Sequence, residues 1–183
     1  GLDKNGDFID SLSSLGFGFI EIGTVTPRSQ PGNSKPRLFR ISSSEALVNQ
    51  MGFNNKGVDH LLSKLKKRDS KVPIGVSIGK NSNTPNEMAY KDYIFCLDKI
   101  YRYADYIAIN VSSPNTKGLR DLQAAEELEN LIEPVKERQL ELTKDYGYKP
   151  LFLKISPDND EEGIDVICKT LLKFSVDGLI CTN

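Results

Sequence analysis

The chain has 183 residues, with 24 Lys+Arg against 25 Asp+Glu and a formal net charge of −1. That length supports one domain with a sizeable core, and the balanced charge, without a basic stripe, excludes a nucleic-acid footprint. Three cysteines without CxxC spacing argue against a disulfide scaffold and for a reducing compartment, no apolar run reaches the roughly eighteen residues of a membrane span, and no signal peptide is visible.

In chain order, five short apolar runs bounded by Gly, Pro or Asn read as strands buried on both faces: 19–25, 74–78, 106–111, 151–155 and 178–182. Helical patterns lie between them. Val58, Leu61, Leu62 and Leu65 share one face, and Lys64, Lys66, Lys67 and Arg68 close that helix where cations suit its dipole and a solvated face. Thr84-Pro-Asn-Glu87 reads as a capping box that opens a helix to about Tyr103. A long helix from about Leu122 into the 140s carries Pro134, which is expected to kink or split it. A last helix, about Asp160 to Phe174, presents Ile164, Ile167, Cys168 and Leu171.

One connection breaks this rhythm. After the first strand comes a Pro/Gly-rich excursion, Pro27 to Pro36, then Arg37-Leu-Phe-Arg40. Ser42-Ser-Ser-Glu45 reads as a second capping box, starting a short helix through Ala46, Leu47 and Val48. The excursion delivers Asn49-Gln-Met-Gly-Phe-Asn-Asn55, and connections this long inside compact domains are usually functional.

Strand and helix alternate as a run of βαβ units, so the fold class is α/β. A doubly wound sheet calls for a phosphate fingerprint at its first turn, but the Gly16-Phe-Gly-Phe stretch is not GxGxxG because Glu21 holds the final position. Gly75 to Asn81 lacks a spacer residue and the Ser/Thr of a P-loop. A (β/α)8 TIM barrel instead spreads polar residues over many strand ends, and Thr24, Ser77, Asn110, Lys154 and Thr182-Asn183 follow that pattern.

The loop Asn110 to Arg120 concentrates the chemistry, with two amides, two hydroxyls and a cation leaving an apolar strand. Asn49, Asn110, Asn115 and Asn183 carry donors and acceptors that suit a planar ring with alternating C=O and N–H, such as a pyrimidine; the alternative is that Asn is simply common in loops. Lys154, inside an apolar run, must meet an anion or electron-rich group or else snorkel to solvent. The single histidine, His60, lies on a helix without a ligand partner and reads as structural. With that one histidine in the chain and none at triad distance from Ser113 in sequence, a hydrolase of the Ser-His-Asp kind is not expected.

Six segments in order carry a family resemblance: Gly1 to Asp7, Gly16 to Pro27, Asn49 to Asn54, Gly79-Lys-Asn81, Asn110 to Thr116 and Lys154-Ile-Ser-Pro-Asp158. Along its whole length the chain closely resembles the quinone-dependent (class 2) dihydroorotate dehydrogenases, most of all the bacterial members. The resemblance implies an FMN-bearing TIM barrel that oxidises dihydroorotate to orotate in pyrimidine synthesis. It makes Ser113 the general base, where class 1 relatives carry Cys. It makes Lys4, Asn49, Gln50, Met51, Gly52, Phe53, Asn110, Asn115 and Asn183 the substrate contacts. Gly1, Leu2, Asp3, Thr24, Ser77, Asn110, Lys154 and Thr182 become the flavin contacts; at Ser77 many members have Asn. No metal is implied.

By the same comparison the chain reads as a partial barrel, from the end of strand one to strand six. The N-terminal helices that form the quinone tunnel and a peripheral membrane contact, and strands seven and eight, are expected to lie outside it. The implied location is the inner membrane, on the cytoplasmic face of a bacterium or in the mitochondrion of a eukaryote. Two alternatives stand beside this reading: another FMN-dependent pyrimidine oxidoreductase, and an inactive fragment or binding module of the same fold.

Overall fold

Side chains alternate between the two faces of a strand, and here the alternation separates aliphatic surface from functional surface. A computed structural model describes residues 2–116 and 118–182. In chain order its elements are α1 (Ile9–Ser13), β1 (Ile20–Val25), β2 (Leu38–Ile41), β3 (Ala46–Asn49), α2 (Val58–Leu65), β4 (Ile74–Ile78), α3 (Ala89–Ile100), β5 (Tyr106–Asn110), α4 (Ala125–Tyr146), β6 (Leu151–Lys154), α5 (Glu161–Lys173) and β7 (Gly178–Ile180).

Strands β1, β4, β5, β6 and β7 form one parallel sheet in strictly sequential order. A doubly wound sheet would reverse its order at a switch point. The helices pack as one continuous layer, α2 on α3, α3 on α4 and α4 on α5. Sequential parallel strands under a single helical layer are the arrangement of a (β/α)8 barrel, of which the chain supplies an arc.

Towards the helices the sheet turns Ile22, Ile74, Val76, Ile78, Ile107, Ile109, Leu151 and Leu153, all buried. Its opposite face carries Glu21, Gly75, Ser77, Tyr106, Ala108, Asn110, Phe152 and Lys154, neighbours in register across the strands. This corrects the expectation of strands buried on both faces. β4 is buried throughout, but on β6 the inward Phe152 and Lys154 are only half-buried, as is all of β7. The inward face is aromatic at one end and polar at the other.

Tyr106 sits edge-on to Phe19 and Phe152, with ring centroids 6.1 and 5.4 Å apart, and its hydroxyl donates to Glu21 at 3.0 Å. Gly75 makes room for it, since a Cβ there would lie 1.9 Å from the Tyr106 ring. At the polar end, β1 carries a bulge between Ile22 and Val25. The backbones close on each other at Gly23, which has φ +114° and where a Cβ would stand 2.4 Å from the Ser77 carbonyl oxygen. Bulges re-aim side chains near sites, and this one turns Thr24 inward.

Several local expectations are corrected. Ser42-Ser-Ser-Glu45 does not start a helix. Ser42–Ser44 is a 3-10 turn closed by Glu45 in the left-handed region, and β3 returns antiparallel to β2 with Leu38 opposite Asn49. The apolar run after the turn is too short to repay helix nucleation, whereas a hairpin pairs its backbone at once. Thr84 does not cap its helix either: its hydroxyl donates to the Asp92 carboxylate at 2.7 Å, and a 3-10 turn, Asn86–Met88, precedes α3. A hydrogen bond to a charged acceptor is stronger than a neutral one and turns the Thr84 side chain towards Asp92. Pro134 does not split α4, which continues through it with Leu131, Ile132 and Val135 buried on either side. On α5 the buried face is Ile167, Thr170 and Leu171, while Ile164 and Cys168 are exposed, because the helix packs on its α4 side.

The loop before α1 is tied to α2 through Asp7, which accepts from Lys56, His60 and Lys64 at 2.9, 2.8 and 3.2 Å. His60 is therefore a structural partner. Hydrogen bonds from Lys56 and then His60 hold the Asp7 carboxyl well below the usual carboxylate range.

Two outcomes follow from this packing. Gly75→Ala forces a methyl into a ring that is held on both sides, so it is expected to cost about 1–3 kcal/mol, read as a lower urea midpoint; an unchanged midpoint would show that the aromatic layer yields. Because the folded-state pKa of Asp7 is depressed, its contribution is complete above the unfolded-state value of about 4 and is lost as pH falls through the folded-state value. Asp7→Asn is expected to flatten the acid limb of the stability curve. A variant whose unfolding midpoint tracks the parent's at every pH would remove Asp7 from that role.

Candidate functional site

The C-terminal ends of parallel strands gather polar side chains because backbone and loop there can be re-aimed without breaking the aliphatic layer beneath. A cavity of about 460 Å³ opens at this end, and residues from β1, β4, β5 and β6 and from the excursion line it. A larger groove of about 800 Å³ lies between α3 and α4, lined by carboxylates such as Glu87, Asp121 and Glu126. It contains none of the candidate site residues.

The depth of the strand-end cavity is a hydrogen-bonded row. Lys154 Nζ donates to Ser112 Oγ at 3.0 Å, Ser112 Oγ donates to Asn110 Oδ1 at 2.7 Å, and Asn110 Nδ2 donates to Thr24 Oγ1 at 2.6 Å. Thr24 Oγ1 in turn lies 2.8 Å from Ser77 Oγ. Burial lowers the pKa of Lys154, and the Glu21 carboxylate works against that shift. The Asn110 carbonyl accepts from the buried Tyr93 hydroxyl at 2.9 Å, which anchors the strand end to α3.

At the mouth stand Lys4, Ser113, Asn115 and the segment Asn49 to Phe53. Burial lowers the pKa of Lys4, the Arg37 guanidinium lowers it further, and no carboxylate among the described residues enters that balance. Ser113 is buried, and its Oγ accepts the Asn115 backbone N–H at 3.2 Å. The Asn115 side chain donates to the Asn49 carbonyl at 3.3 Å, joining the β5 loop to the excursion.

Most of the residues singled out in the sequence meet here. Lys4, Thr24, Asn49, Met51, Gly52 and Phe53 line the cavity, and so do Ser77, Asn110, Ser113, Asn115 and Lys154. Leu2, Asp3, Gln50 and Thr182 do not line it. Leu2 is exposed, and the Asp3 carboxylate is spent on the backbone N–H groups of Asn5, Asp7 and Phe8. Gln50 turns outward and donates to the Pro36 carbonyl. Thr182 is exposed beyond β7. Gly1 and Asn183 lie outside the described residues.

Sequence reasoning missed Glu21, Gly23, Ser112, Leu38 and Leu47. Glu21 carries the signal that exposed Lys154, a charge inside an apolar strand. Gly23 carries the signal of a glycine within a strand, which marks a bulge or a close approach. Ser112 was hidden by its neighbour Ser113. Leu38 and Leu47 reach the cavity only because β2 and β3 pair as a hairpin.

A family model for dihydroorotate dehydrogenase matches residues 1–183. The dihydroorotate dehydrogenase (quinone) of Psychrobacter arcticus is 54% identical over 184 residues, covering 100% of this chain and 54% of that protein. The protein of the same name from Acinetobacter baylyi is 56% identical, covering 100% and 55%. A crystal structure of DHODH from Eimeria tenella in complex with ferulenol superposes with a TM-score of 0.91 at 36% identity, covering 100% of this chain and 54% of that one. The chain thus spans about half the length of the curated relatives it matches. Matched from its first residue to its last, the chain belongs to the dihydroorotate dehydrogenase family.

Proposed function

We propose that the protein built on this chain oxidises dihydroorotate to orotate in pyrimidine synthesis, with FMN as hydride acceptor and a quinone as final electron acceptor. The observation that carries the reading is the position of Ser113. It shares one cavity with the Lys4 cation and the Asn49–Phe53 segment on one side and the Lys154–Asn110–Thr24 row on the other. A base set between an anion-binding mouth and a cationic depth suits proton removal from an anionic ring.

Dihydroorotate carries a carboxylate. Lys4, desolvated and pressed by Arg37, is stabilised by such an anion. The ring's C=O and N–H edge finds matching partners in Asn49, Asn110 and Asn115. Ser113 takes the C5 proton, its own hydroxyl proton passing to solvent, while the C6 hydrogen leaves as hydride. A serine is a poor base unless negative charge on its oxygen is supported, and the Asn115 N–H supports it here.

The residues present fit a flavin. Hydroxyls of Thr24 and Ser77, the Asn110 amide and the Lys154 ammonium converge at the depth of the cavity, the donor set that a polar ring edge with growing negative charge requires. Bound FMN supplies the hydride acceptor. Lys154 holds positive charge beside that acceptor, and Ser112 and Asn110 fix its direction. Gly1, Leu2, Asp3 and Thr182 are proposed as flavin contacts, and Gln50 and Asn183 as substrate contacts, on the family resemblance alone; Leu2, Asp3, Gln50 and Thr182 do not line the cavity itself. The domain is read as part of a TIM-barrel catalytic unit.

The quinone acceptor is supported by the similar proteins of Psychrobacter arcticus and Acinetobacter baylyi, both dihydroorotate dehydrogenases (quinone). Quinones are lipid-soluble, so we place the protein peripherally at the inner membrane, bacterial or mitochondrial, through a segment outside this chain. Among the described residues no helix is long and apolar enough to cross a membrane.

Ser113→Ala in the full-length holoprotein is expected to slow anaerobic flavin reduction by dihydroorotate about 10²–10⁴-fold while orotate still binds. Stopped-flow absorbance checks it, and a normal reduction rate in that variant would take the base role away from Ser113. In the steady state a quinone should support turnover where a nicotinamide acceptor does not; the reverse preference would sink the quinone assignment.

A further inference from the structure

The Asn49–Phe53 segment presents Asn49, Met51 and Phe53 to the cavity while its backbone passes through two successive left-handed residues, Gly52 at φ +69° and Phe53 at φ +52°. A bulky residue such as Phe in that region is strained and persists only where its surroundings over-determine it. The constraint is visible carbonyl by carbonyl. The Asn49 oxygen accepts from Asn115 Nδ2, the Met51 oxygen from the Asn33 N–H, the Gly52 oxygen from Gln30 Nε2 and the Phe53 oxygen from Asn55 Nδ2.

Gln30 differs from the other donors in what stands behind it. Its Nε2 donates to Gly52 at 3.0 Å, while its Oε1 accepts from Asn81 Nδ2 at 2.8 Å and from the Ser82 N–H at 3.1 Å. Asn81 is buried, and its own N–H donates to the Asp92 carboxylate of α3 at 2.8 Å. The Gln30 backbone also exchanges both hydrogen bonds with Asn55, at 3.0 and 3.1 Å. A continuous path therefore runs from the α3 carboxylate through Asn81 and Gln30 to the strained turn at Gly52. Neither Gln30 nor Asn81 lines the cavity.

We propose that Gln30, held by Asn81, is the positioning residue that sets the height of the Asn49–Phe53 segment over the substrate. The inference rests on the proposed dihydroorotate reading, and it assigns to Gln30 an effect on ring binding rather than on chemistry. Both ends of its amide are needed: the acceptor locks Gln30 to the barrel, and the donor locks Gly52 to Gln30.

The test uses the full-length holoprotein. Gln30→Glu keeps the length and the acceptor but removes the donor to Gly52; Gln30→Ala removes both. In each variant, amide exchange over residues 49–53 without ligand is expected to quicken. The orotate Kd, read from the flavin absorbance change, and the KM for dihydroorotate are expected to rise roughly fivefold, the size of one net hydrogen bond. Flavin content is expected to stay at the parent's value and kcat within about twofold of it, since a bond made equally in ground and transition states changes KM alone. Unchanged exchange overturns the proposal, as does faster exchange with unchanged orotate affinity. A fall in kcat at constant KM also overturns it. A parent protein that binds no orotate overturns the functional reading instead, and the exchange measurement then decides the Gln30 anchor on its own.

Discussion

The amide of Asn110 is the interaction on which the site depends. Its orientation is forced from both ends. The Ser112 backbone N–H and hydroxyl, at 3.0 and 2.7 Å, need an acceptor, so Oδ1 faces them. That leaves Nδ2 for Thr24 on the neighbouring part of the arc. Lys154 donates into the same row through Ser112, so the donors run in one direction from the cation to Thr24. A directed chain of this kind polarises along its length, which is how a half-buried ammonium is accommodated at a barrel's depth when its solvation is reduced.

That row requires four strand ends at fixed heights, and the opposite sheet face supplies them. The unbroken aliphatic layer beneath the helices locks β4, β5 and β6 in register. The inward face can then carry side chains chosen for chemistry, because it does not have to supply the core. The cost is confined to special places. Gly23 must be glycine for β1 to approach Ser77, and Gly75 must be glycine for the Tyr106 ring to pass over it.

How much of this was legible depended on whether the signal was local. The five strands, the helix face of α2 and the polar strand ends follow from periodicity and composition, and the strands stand within a residue or two of their expected places. Lys154 was legible because a charge inside an apolar run must be accounted for. The hairpin was not, because a Ser-x-x-Glu pattern that caps a helix and a four-residue turn that closes a hairpin share the same residues; the choice was made by pairing with Leu38–Ile41. Thr84 failed for a similar reason, its hydroxyl drawn to Asp92 eight residues away. Gln30 and Asn81 carry no local signal at all. Their importance lies in partners more than twenty residues distant in sequence, Gly52 for one and Gln30 for the other.

The charges of the site divide by depth, and the division matches the order of events in the proposed reaction. At the mouth, burial and then the Arg37 guanidinium lower the pKa of Lys4, and a bound anion would favour its charged form. At the depth, Lys154 is opposed in its desolvation by Glu21, whose carboxylate is itself held by the Tyr106 hydroxyl. In the proposed reaction the mouth meets a charge that is present beforehand, the substrate carboxylate. At the depth desolvation of Lys154 outweighs the opposing Glu21 carboxylate, so in the proposed reaction negative charge arriving from the ring adds stabilisation there. Binding and rate enhancement are thereby assigned to different cations, and only interactions that strengthen towards the transition state raise kcat. In the proposed reaction, Lys4 would then govern how tightly the ring is held, and Lys154 how readily it gives up its hydride.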